Sequence, residues 1–483
     1  MLDRKPSCSI SGCDASLKLE YDGIFKASCR AITTGILTLS EPSTQPIRAK
    51  LRIPRRKPDI LISMESTAPR PLKVTIVGAG IGGLAAAAAM RKSGHIVELF
   101  ESSTEKNEFG AGIGVQVNAL RVLEHLGVDR ANLRGVSYDG ITNFDSITGE
   151  GRSQRWLLPD MEQNRSILCL RSDVHDELLR VACGEGPGTP TTLRLGRKVV
   201  NCDSKKGSIN LESGHVVLAD LVIGADGIHS TIRAQVLGHP EPAVPSGLTC
   251  FRALIPANKL KDLPESDSEW LTDGLSGLRG VVLKDHDFGM IGMYFCANKT
   301  LINLAALYQD PEQYDASAAW SSTTTRTQML ETFPTIHPKF KTILSLADDP
   351  VLKWRLGTLP ILPTWINGRA MLMGDAAHAT LPTLGQGAAL AIEEAGALGV
   401  LFPAGTRRED VESRLEMFER VRKPRGDFIN REAIAQAVEK EKRGLYFRSQ
   451  EVQAYFVTHD AIKEAQEYLE RQCEGDVQGI LGH

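Results

Sequence analysis

A glycine-rich turn supplies the first residues whose types and spacing could do chemistry. Gly78, Gly80 and Gly83 form a GxGxxG pattern directly after the apolar run at residues 74–77 and at the start of an alanine-rich stretch. In a turn between a strand and a helix, the first glycine permits the tight turn, the second lets the backbone approach a pyrophosphate, and the third lets helix and strand pack closely. The helix N-terminus also offers free N–H groups and a partial positive charge to phosphates. The pattern predicts a dinucleotide-binding loop.

An acidic residue follows at the spacing that such a loop requires. Glu101 comes directly after the next apolar run, residues 96–100. A carboxylate at the tip of the second strand accepts hydrogen bonds from a ribose hydroxyl, which favours an adenosine without a 2′-phosphate, as in FAD or NAD. The loop does not distinguish these two cofactors. A glycine-rich helix start that binds no ligand is the structural alternative.

Two later segments carry a resemblance to a known family. Residues 221–233 (LVIGADGIHSTIR) and 371–387 (MLMGDAAHATLPTLGQG) resemble the DG and GD motifs of the flavoprotein aromatic hydroxylases. Within that family the chain is most similar to the salicylate hydroxylase-like members and their fungal secondary-metabolism relatives. The resemblance covers the chain from about residue 72 to the C-terminal helix, with the motifs in the family's order. It implies FAD as the cofactor and NADH or NADPH as the co-substrate.

The GD segment has residue types that suit a flavin. Asp375 follows an apolar run and precedes a loop, where a carboxylate can accept hydrogen bonds from a ribityl chain; a helix or turn cap is the structural alternative. Gly385 and Gly387 permit close backbone approach, and the helix expected to begin near Ala388 points its N-terminus at the loop. Such a helix end stabilises the negative charge of a reduced flavin. His378 is expected to be structural.

The resemblance implies further cofactor contacts at single positions. Asp226 matches an aspartate that is linked to both flavin and NAD(P)H, and Pro382 would lie beside the flavin ring. The contacts implied in this way are Gly114, Arg171, Asp226, Pro382 and Ala388.

The resemblance also implies an activity and two candidate catalytic residues. Oxygen insertion requires a flavin C4a-hydroperoxide kept away from water and a substrate activated as a phenolate. Arg252 and Tyr294 occupy places where relatives line the substrate pocket; an arginine can hold a phenolate or carboxylate, and a tyrosine can position it. A structural role in the sheet is an equal alternative for each. We expect hydroxylation of a small, electron-rich, phenolic or salicylate-like substrate with molecular oxygen.

Other functions fit part of the pattern. A flavin epoxidase, or a dearomatising hydroxylase of an indole, isoprenoid or polyketide, is compatible with every motif. A flavin halogenase would show a WxWxIP segment, which Trp354 and its neighbours do not supply. From a different class, the same fold serves as a non-enzymatic binder of prenylated GTPases, but the intact Glu101, Arg171 and Asp375 argue against this.

The elements that must position these residues predict an α/β protein, and the resemblance implies a p-hydroxybenzoate hydroxylase-like fold. We expect a Rossmann-like FAD-binding domain in two parts, residues 71–245 and 350–405, and a mixed β-sheet substrate domain at residues 246–349. Residues 1–70 are expected to form a disordered extension, with translation from Met64 as an alternative, and residues 406–483 a helical segment. A hairpin is predicted over residues 210–219, and helices over residues 387–401 and 409–442.

A basic run lies on the last of these predicted helices. We expect it to be a solvated helix face, with attraction of a nicotinamide phosphate as the alternative. Its members are Arg414, Arg420, Arg422, Lys423 and Arg425.

Composition limits the partners. With 42% hydrophobic and 24% charged residues among 483, and a net charge of −3, the chain has no field that would gather nucleic acid or a membrane. The longest apolar stretch, residues 381–402, is interrupted by Gln386, Glu393 and Glu394. Nine scattered cysteines without a CxxC pair predict no metal site. We expect a cytoplasmic enzyme that binds a small aromatic molecule, with a homodimer as one candidate assembly.

Overall fold

The computed structural model describes residues 70–105, 111–156, 165–284, 287–310, 320–443 and 449–481. Residues 1–69 of the predicted N-terminal extension lie outside these ranges. The strands of the described ranges are β1 (Lys73–Val77), β2 (Ile96–Phe100), β3 (Gly112–Val115), β4 (Val136–Ser137), β5 (Gly140–Asp145), β6 (Gly151–Arg155), β7 (Ile167–Leu170), β8 (Thr192–Arg194), β9 (Val199–Asp203), β10 (Ser208–Leu211), β11 (Val216–Leu218), β12 (Leu221–Gly224), β13 (Val244–Pro256), β14 (Gly277–Val282), β15 (Gly289–Cys296), β16 (Leu301–Gln309), β17 (Ser321–Thr324), β18 (Val351–Thr358), β19 (Ile366–Asn367) and β20 (Ala370–Leu372). The helices are α1 (Ile81–Lys92), α2 (Val117–Leu126), α3 (Arg171–Cys183), α4 (Thr231–Leu237), α5 (Glu265–Thr272), α6 (Arg326–Thr332), α7 (Pro338–Leu344), α8 (Asp375–His378), α9 (Gly387–Leu401), α10 (Val411–Val438), α11 (Gln450–Val457) and α12 (Ala461–Leu481).

The first sheet carries the glycine turn. Its six strands run in the order β19-β20-β12-β1-β2-β8, and β1 pairs in parallel with both β2 and β12. Parallel strands covered by helices are apolar along their whole length, and β1 is buried at every position after Lys73. The alanines of α1 are buried too, and together with β1 and α9 they form the main core. The predicted strand, helix, strand unit around the turn is confirmed.

The second sheet is mixed and has eight strands in the order β17-β18-β13-β16-β15-β14-β5-β6. β14 pairs in parallel with β5, whereas β13 pairs antiparallel with β16 and β18. Side chains alternate along a strand, so Arg252 and Phe251 lie on opposite faces of β13. Phe251 packs with Tyr308 and Phe333 on the face away from the cavity described below. The sheet takes strands from both sides of residues 246–349, and the division into domains stays a prediction.

Smaller elements complete the frame. The predicted hairpin is confirmed: β10 and β11 pair antiparallel around Gly214, whose φ is +85°. The antiparallel pair β3 and β7 carries Gly114 and ends immediately before Arg171. The two predicted late helices correspond to α9 and α10. Within the described ranges, no helix has the length and apolar content needed to cross a bilayer.

Candidate active site

The three glycines of the turn have different physical reasons to be glycine. Gly78 has φ +100°, and a Cβ there would lie 2.4 Å from the carbonyl oxygen of Ala225. A Cβ on Gly83 would lie 1.9 Å from the carbonyl oxygen of Gly78, so the helix must pack without a side chain here. A Cβ on Gly80 would meet nothing within 4 Å. Gly78 and Gly83 therefore serve the packing of the turn, and Gly80 borders open space where a ligand fits.

Glu101 and His175 hold the turn from two sides. The Glu101 carboxylate accepts hydrogen bonds from the backbone N–H groups of Ala79 and Ser103, at 2.9 and 2.8 Å. The His175 ring, one turn into α3, bonds the carbonyl oxygen of Ala79 at 2.9 Å. Both side chains line a cavity of about 200 Å³ beside Gly80. His175 was missed in the sequence because nothing local to it reveals the contact across 96 positions.

A second cavity, of about 430 Å³, joins the glycine turn to the GD loop and to the second sheet. Gly80 lines both cavities, so both lie against the turn. A coenzyme with two nucleotides needs an elongated cleft of this kind. The predicted site residues that line the second cavity are Gly80, Gly114, Arg171, Arg252, Tyr294, Asp375, Pro382, Gly385, Gly387 and Ala388.

Two helices point their N-termini into this cleft. α1 begins after Gly80, which has no side chain to cap the helix. α9 begins after Gln386, whose side chain does not bond the first turn. The first backbone N–H groups of both helices are therefore suited to an anionic ligand. Asp375 is exposed at the cavity wall, where a carboxylate can accept from hydroxyl groups. Backbone N–H donors that suit a phosphate, together with a carboxylate that accepts from hydroxyl groups, fit FAD.

Asp226 lies outside both cavities and caps α4. Its carboxylate accepts from the Ser230 hydroxyl at 2.5 Å and from the backbone N–H groups of Thr231 and Ile232 at 2.7 and 3.2 Å. Burial raises the pKa of Asp226, although these hydrogen bonds oppose the shift. Its neighbours Ala225 and Gly227 do line the second cavity. The cofactor role of Asp226 stays a prediction, and the observed contacts are those of a helix cap.

A buried ion pair shapes the GD loop. Glu394 accepts from the backbone N–H of Gly374 at 2.8 Å and bonds the His378 ring at 2.6 Å. Burial lowers the pKa of His378, but the charge and hydrogen bond of Glu394 outweigh it and raise that pKa above its ordinary value. Trp365 packs on the His378 ring at 5.1 Å. His378 therefore has the structural position expected of it.

Arg252 of β13 and Tyr294 of β15 both line the second cavity from the second sheet. The Arg252 guanidinium lies over the Trp354 ring at 4.8 Å, and its buried Nε has no hydrogen-bond partner in the described part of the chain. Tyr294 is 9% exposed, and burial raises the pKa of its hydroxyl well above 10. A Cβ on Gly112 would lie 2.7 Å from that hydroxyl. The site thus combines a cation whose Nε lacks a hydrogen-bond partner in the described ranges with a phenol whose pKa is raised by burial.

Asn303 and Gln116 are among the polar cavity residues that were not predicted. Asn303 accepts from the backbone N–H of Gly112 at 2.7 Å, and Gln116 follows β3 at the cavity wall. Asn303 faces the cavity because it pairs with Tyr294 in the register of β15 and β16. Strand register is set by long-range packing, and the local pattern carries no signal for it.

The basic run on α10 differs from the prediction at two positions. Arg422 and Arg425 are 0% and 6% exposed, and both pair with Glu393 of α9. The solvated face is therefore wrong for these two residues, because a carboxylate buried in α9 requires positive partners from the helix that packs against it. Arg420 is 65% exposed, as expected of a solvated face.

Comparisons with known proteins agree with this geometry. A family profile described as the FAD binding domain matches residues 71–433. The chain is 38% identical to hispidin-3-hydroxylase of Neonothopanus nambi, over 83% of this chain and 96% of that protein. It is 32% identical to the FAD-dependent monooxygenase cfoG of Aspergillus candidus, over 74% of this chain and 83% of that protein.

Solved structures share the fold. CtdE, in complex with FAD and a substrate, superposes with a TM-score of 0.71 at 23% identity, over 84% of this chain and all of that one (100%). A salicylate hydroxylase substrate complex gives a TM-score of 0.66 at 24% identity, over 83% of this chain and 98% of that one. The predicted α/β architecture with a mixed second sheet is thereby confirmed, as is the resemblance to the aromatic hydroxylases. The chain belongs to the FAD binding domain family and is an FAD-dependent monooxygenase.

Proposed function

We propose that this monooxygenase hydroxylates a small, flat, phenolic or salicylate-like molecule, with NADH or NADPH as the electron donor and molecular oxygen as the co-substrate. The observation that carries the proposal is Arg252, a cation in the cavity whose buried Nε has no hydrogen-bond partner in the described ranges. Arg252 is half-buried, and a cationic side chain whose buried Nε lacks a partner favours an anionic ligand beside it. Hydroxylation of hispidin by a relative 38% identical to this chain supports an aromatic substrate.

The residues of the cleft suit successive parts of FAD. The turn at Gly80 and the start of α1 would take the pyrophosphate, and Glu101 a ribose hydroxyl. Asp375 would accept from the ribityl hydroxyls, and Arg171 would contact the flavin. The remaining predicted cofactor contacts belong to the same proposal: Gly78, Gly83, Gly114, Asp226, Pro382, Gly385, Gly387 and Ala388.

FAD held by these residues would supply the redox chemistry of the reaction, with NAD(P)H as the source of two electrons and oxygen as their acceptor. The protein's part is to prepare the substrate. The charge of Arg252 lowers the pKa of a substrate hydroxyl beside it and so favours the ionised, electron-rich ring. Tyr294 stays protonated, because burial raises its pKa, and donates a hydrogen bond to the same oxygen. Apolar side chains of the second sheet, among them Leu278, Met290 and Leu307, line this end and exclude water.

The test is a screen of phenols, salicylates, hydroxypyrones and indoles for stimulated NAD(P)H oxidation, with the mass of each product. We expect one oxygen atom to be added to an aromatic ring. An epoxide or a product that has lost its aromaticity would instead favour the epoxidase or dearomatising alternatives. Since the chain is a monooxygenase, the non-enzymatic binder is no longer an alternative. A homodimer and a cytoplasmic location belong to this proposal as expectations.

Arg252→Ala tests the substrate site directly. We expect the variant to lose substrate-stimulated NAD(P)H oxidation by at least about 100-fold while it retains FAD, because a hydrogen bond between charged groups contributes roughly 1.5–3 kcal/mol and the cation also favours the ionised substrate. The matched control is Arg355→Ala, since Arg355 lies over Trp320 in the same sheet and does not line the cavity. Wild-type turnover in Arg252→Ala would remove the assignment.

A further inference from the structure

A chain of buried amide side chains connects the cofactor cavity to a carboxylate inside α9. Gln386 Nε2 donates to Gln116 Oε1 at 2.7 Å. Asn118 Nδ2 donates both to Gln386 Oε1 at 3.1 Å and to Glu393 Oε1 at 2.7 Å. All four residues are at most 4% exposed. Gln116 and Gln386 are the N-cap residues of α2 and α9, yet neither side chain caps its own helix. The two amides bond to each other instead.

Glu393 is ionised in this chain. Arg425 donates to its two carboxylate oxygens at 2.8 and 2.9 Å, and Arg422 donates to Oε2. Burial alone would raise the pKa of Glu393, but the charges of the two arginines outweigh it and lower that pKa to about 2. An ionised carboxylate only accepts hydrogen bonds. Glu393 is therefore a fixed acceptor at the end of the amide chain.

This acceptor dictates the orientation of every amide that follows. Asn118 must turn its amino group to Glu393, since its carbonyl oxygen would face a carboxylate. The same amino group then meets the oxygen of Gln386, and the amino group of Gln386 meets the oxygen of Gln116. The row of hydrogen-bonded amides therefore ends, on the side of the cavity, at the Gln116 side-chain nitrogen. This nitrogen lies 3.8 Å from the position that a Cβ on Gly385 would take. Gly385 and Gln116 both line the cavity.

We propose that Gln116 presents an N–H donor to the flavin ring, and that Glu393, Asn118 and Gln386 are positioning residues that set this polarity. The pyrimidine edge of a flavin carries carbonyl oxygens and ring nitrogens that become more negative on reduction, so a donor there favours the reduced cofactor. The inference goes beyond the proposed reaction. It rests on FAD binding alone and does not depend on which substrate is oxidised.

Two substitutions at Gln116 separate polarity from packing. Gln116→Met removes the amide at similar volume. Gln116→Glu keeps an oxygen for Gln386 but replaces the donor by an acceptor. We expect Gln116→Met to reduce the preference for reduced over oxidised FAD about tenfold, a fall of about 30 mV in the two-electron midpoint potential. At pH 8, Gln116→Glu is expected to lower the midpoint potential further than Gln116→Met, because it places an acceptor where the donor was.

A variant of Asn118, which lies between Gln386 and Glu393 in the row of hydrogen bonds, tests the positioning role. Asn118→Leu leaves Glu393 paired with its arginines but releases the orientation of Gln386. We expect a fall in potential in the same direction as for Gln116→Met and smaller. Gln453→Met is the matched control, because Gln453 is a fully buried amide (0% exposed) that does not line the cavity. It should change the melting temperature but not the potential.

The measurements are the flavin midpoint potential, the dissociation constant of FAD from titration of the apoprotein, and the melting temperature of each variant. A potential that falls in the order given supports the inference. An unchanged potential in both Gln116 variants overturns it, whatever happens to FAD affinity or melting temperature. Loss of substrate turnover plays no part in this test, so its outcome is independent of the proposed substrate.

Discussion

At the scale of single residues, the glycine turn shows that one motif contains residues of two kinds. Gly83 is in contact with the backbone of Gly78, whereas Gly80 borders open space. The backbone at Gly80 has φ −72°, which an alanine adopts without strain. Gly83 is therefore needed for the fold, and Gly80 for the ligand.

This difference predicts opposite results for two alanine substitutions. We expect Gly80→Ala to leave the melting temperature of the apoprotein within about 2 °C of wild type and to weaken FAD binding about tenfold or more, because the new methyl group occupies ligand space. Gly83→Ala should instead lower the stability of the apoprotein by at least about 1–3 kcal/mol, since the Cβ overlaps a carbonyl oxygen. Thermal melts and FAD titrations of both variants check this. Equal losses of apoprotein stability would contradict it.

At the same scale, Arg252 and Tyr294 differ in charge, since the first is a cation and the second a neutral phenol. The Arg252 guanidinium lies over the Trp354 ring, and Asp375 is the one acidic residue that lines the cavity with it in the described ranges. Tyr294 is kept as a phenol by burial. The pair therefore supplies one positive charge and one neutral donor, which is the combination that an ionised phenol requires.

At the scale of elements, α9 and α10 are joined by charge as well as by apolar packing. Glu393 and Glu394 are adjacent in α9 and both fully buried (0% exposed), but they serve different neighbours. Glu394 holds the GD loop through Gly374 and His378, and Glu393 holds α10 through Arg422 and Arg425. Two adjacent carboxylates of α9 thus hold the GD loop through Glu394 and the helix α10 through Glu393.

Because of Glu393, we expect the free energy of unfolding to fall at acid pH. Its pKa is lowered from 4.5 to about 2 in the folded chain, so its contribution is complete above pH 4.5 and is lost as the pH falls towards 2. Glu393→Gln should lower the free energy of unfolding at pH 7 by about 3–5 kcal/mol, because it leaves the buried arginines uncompensated. The difference from wild type should shrink between pH 4.5 and pH 2.

Denaturant unfolding of both proteins across this range is the measurement. His459, near the same arginines, has its pKa lowered to about 4 by burial. Its contribution to stability falls as the pH drops from 6.5 towards 4, because the unfolded chain then takes up a proton that the folded chain does not. In wild type this fall ends near pH 4, whereas in Glu393→Gln, where the Glu393 charge no longer raises the pKa of His459, it continues to lower pH. A difference between the two proteins that stays constant from pH 7 to pH 2 would show that Glu393 does not titrate as described.

At the scale of the whole molecule, the C-terminal helices pack against residues that line the second cavity. The carbonyl oxygen of Phe456 accepts from Arg425 at 2.9 Å, and the Phe456 ring is 1% exposed among Tyr138, Tyr294 and other residues of one apolar cluster. Arg121 of α2 donates to the carbonyl oxygen of His459 at 2.9 Å. The last helices are therefore part of the same core as the active site.

Phe456→Ala tests this connection. Emptying a fully buried aromatic site costs about 3–5 kcal/mol, so we expect a clear fall in melting temperature. FAD should restore part of the loss, because a ligand that binds only the folded state stabilises it by mass action. Tyr455→Ala is the matched control, since Tyr455 is 54% exposed, and it should change the melting temperature little. Equal effects of the two substitutions would contradict the burial described.

The sequence by itself determined the features that depend on neighbouring residues: the turn at Gly78, Gly80 and Gly83, the position of Glu101, the GD loop, and the helices that follow it. Each is a short pattern whose geometry is decided within a few residues, and family membership follows from their order. Only the tertiary structure decided which side chains meet across long separations. The partners of Glu393, the cap formed by Asp226 and the pairing of Tyr294 with Asn303 depend on strand register and helix packing, which are set by burial over the whole core rather than by any local pattern.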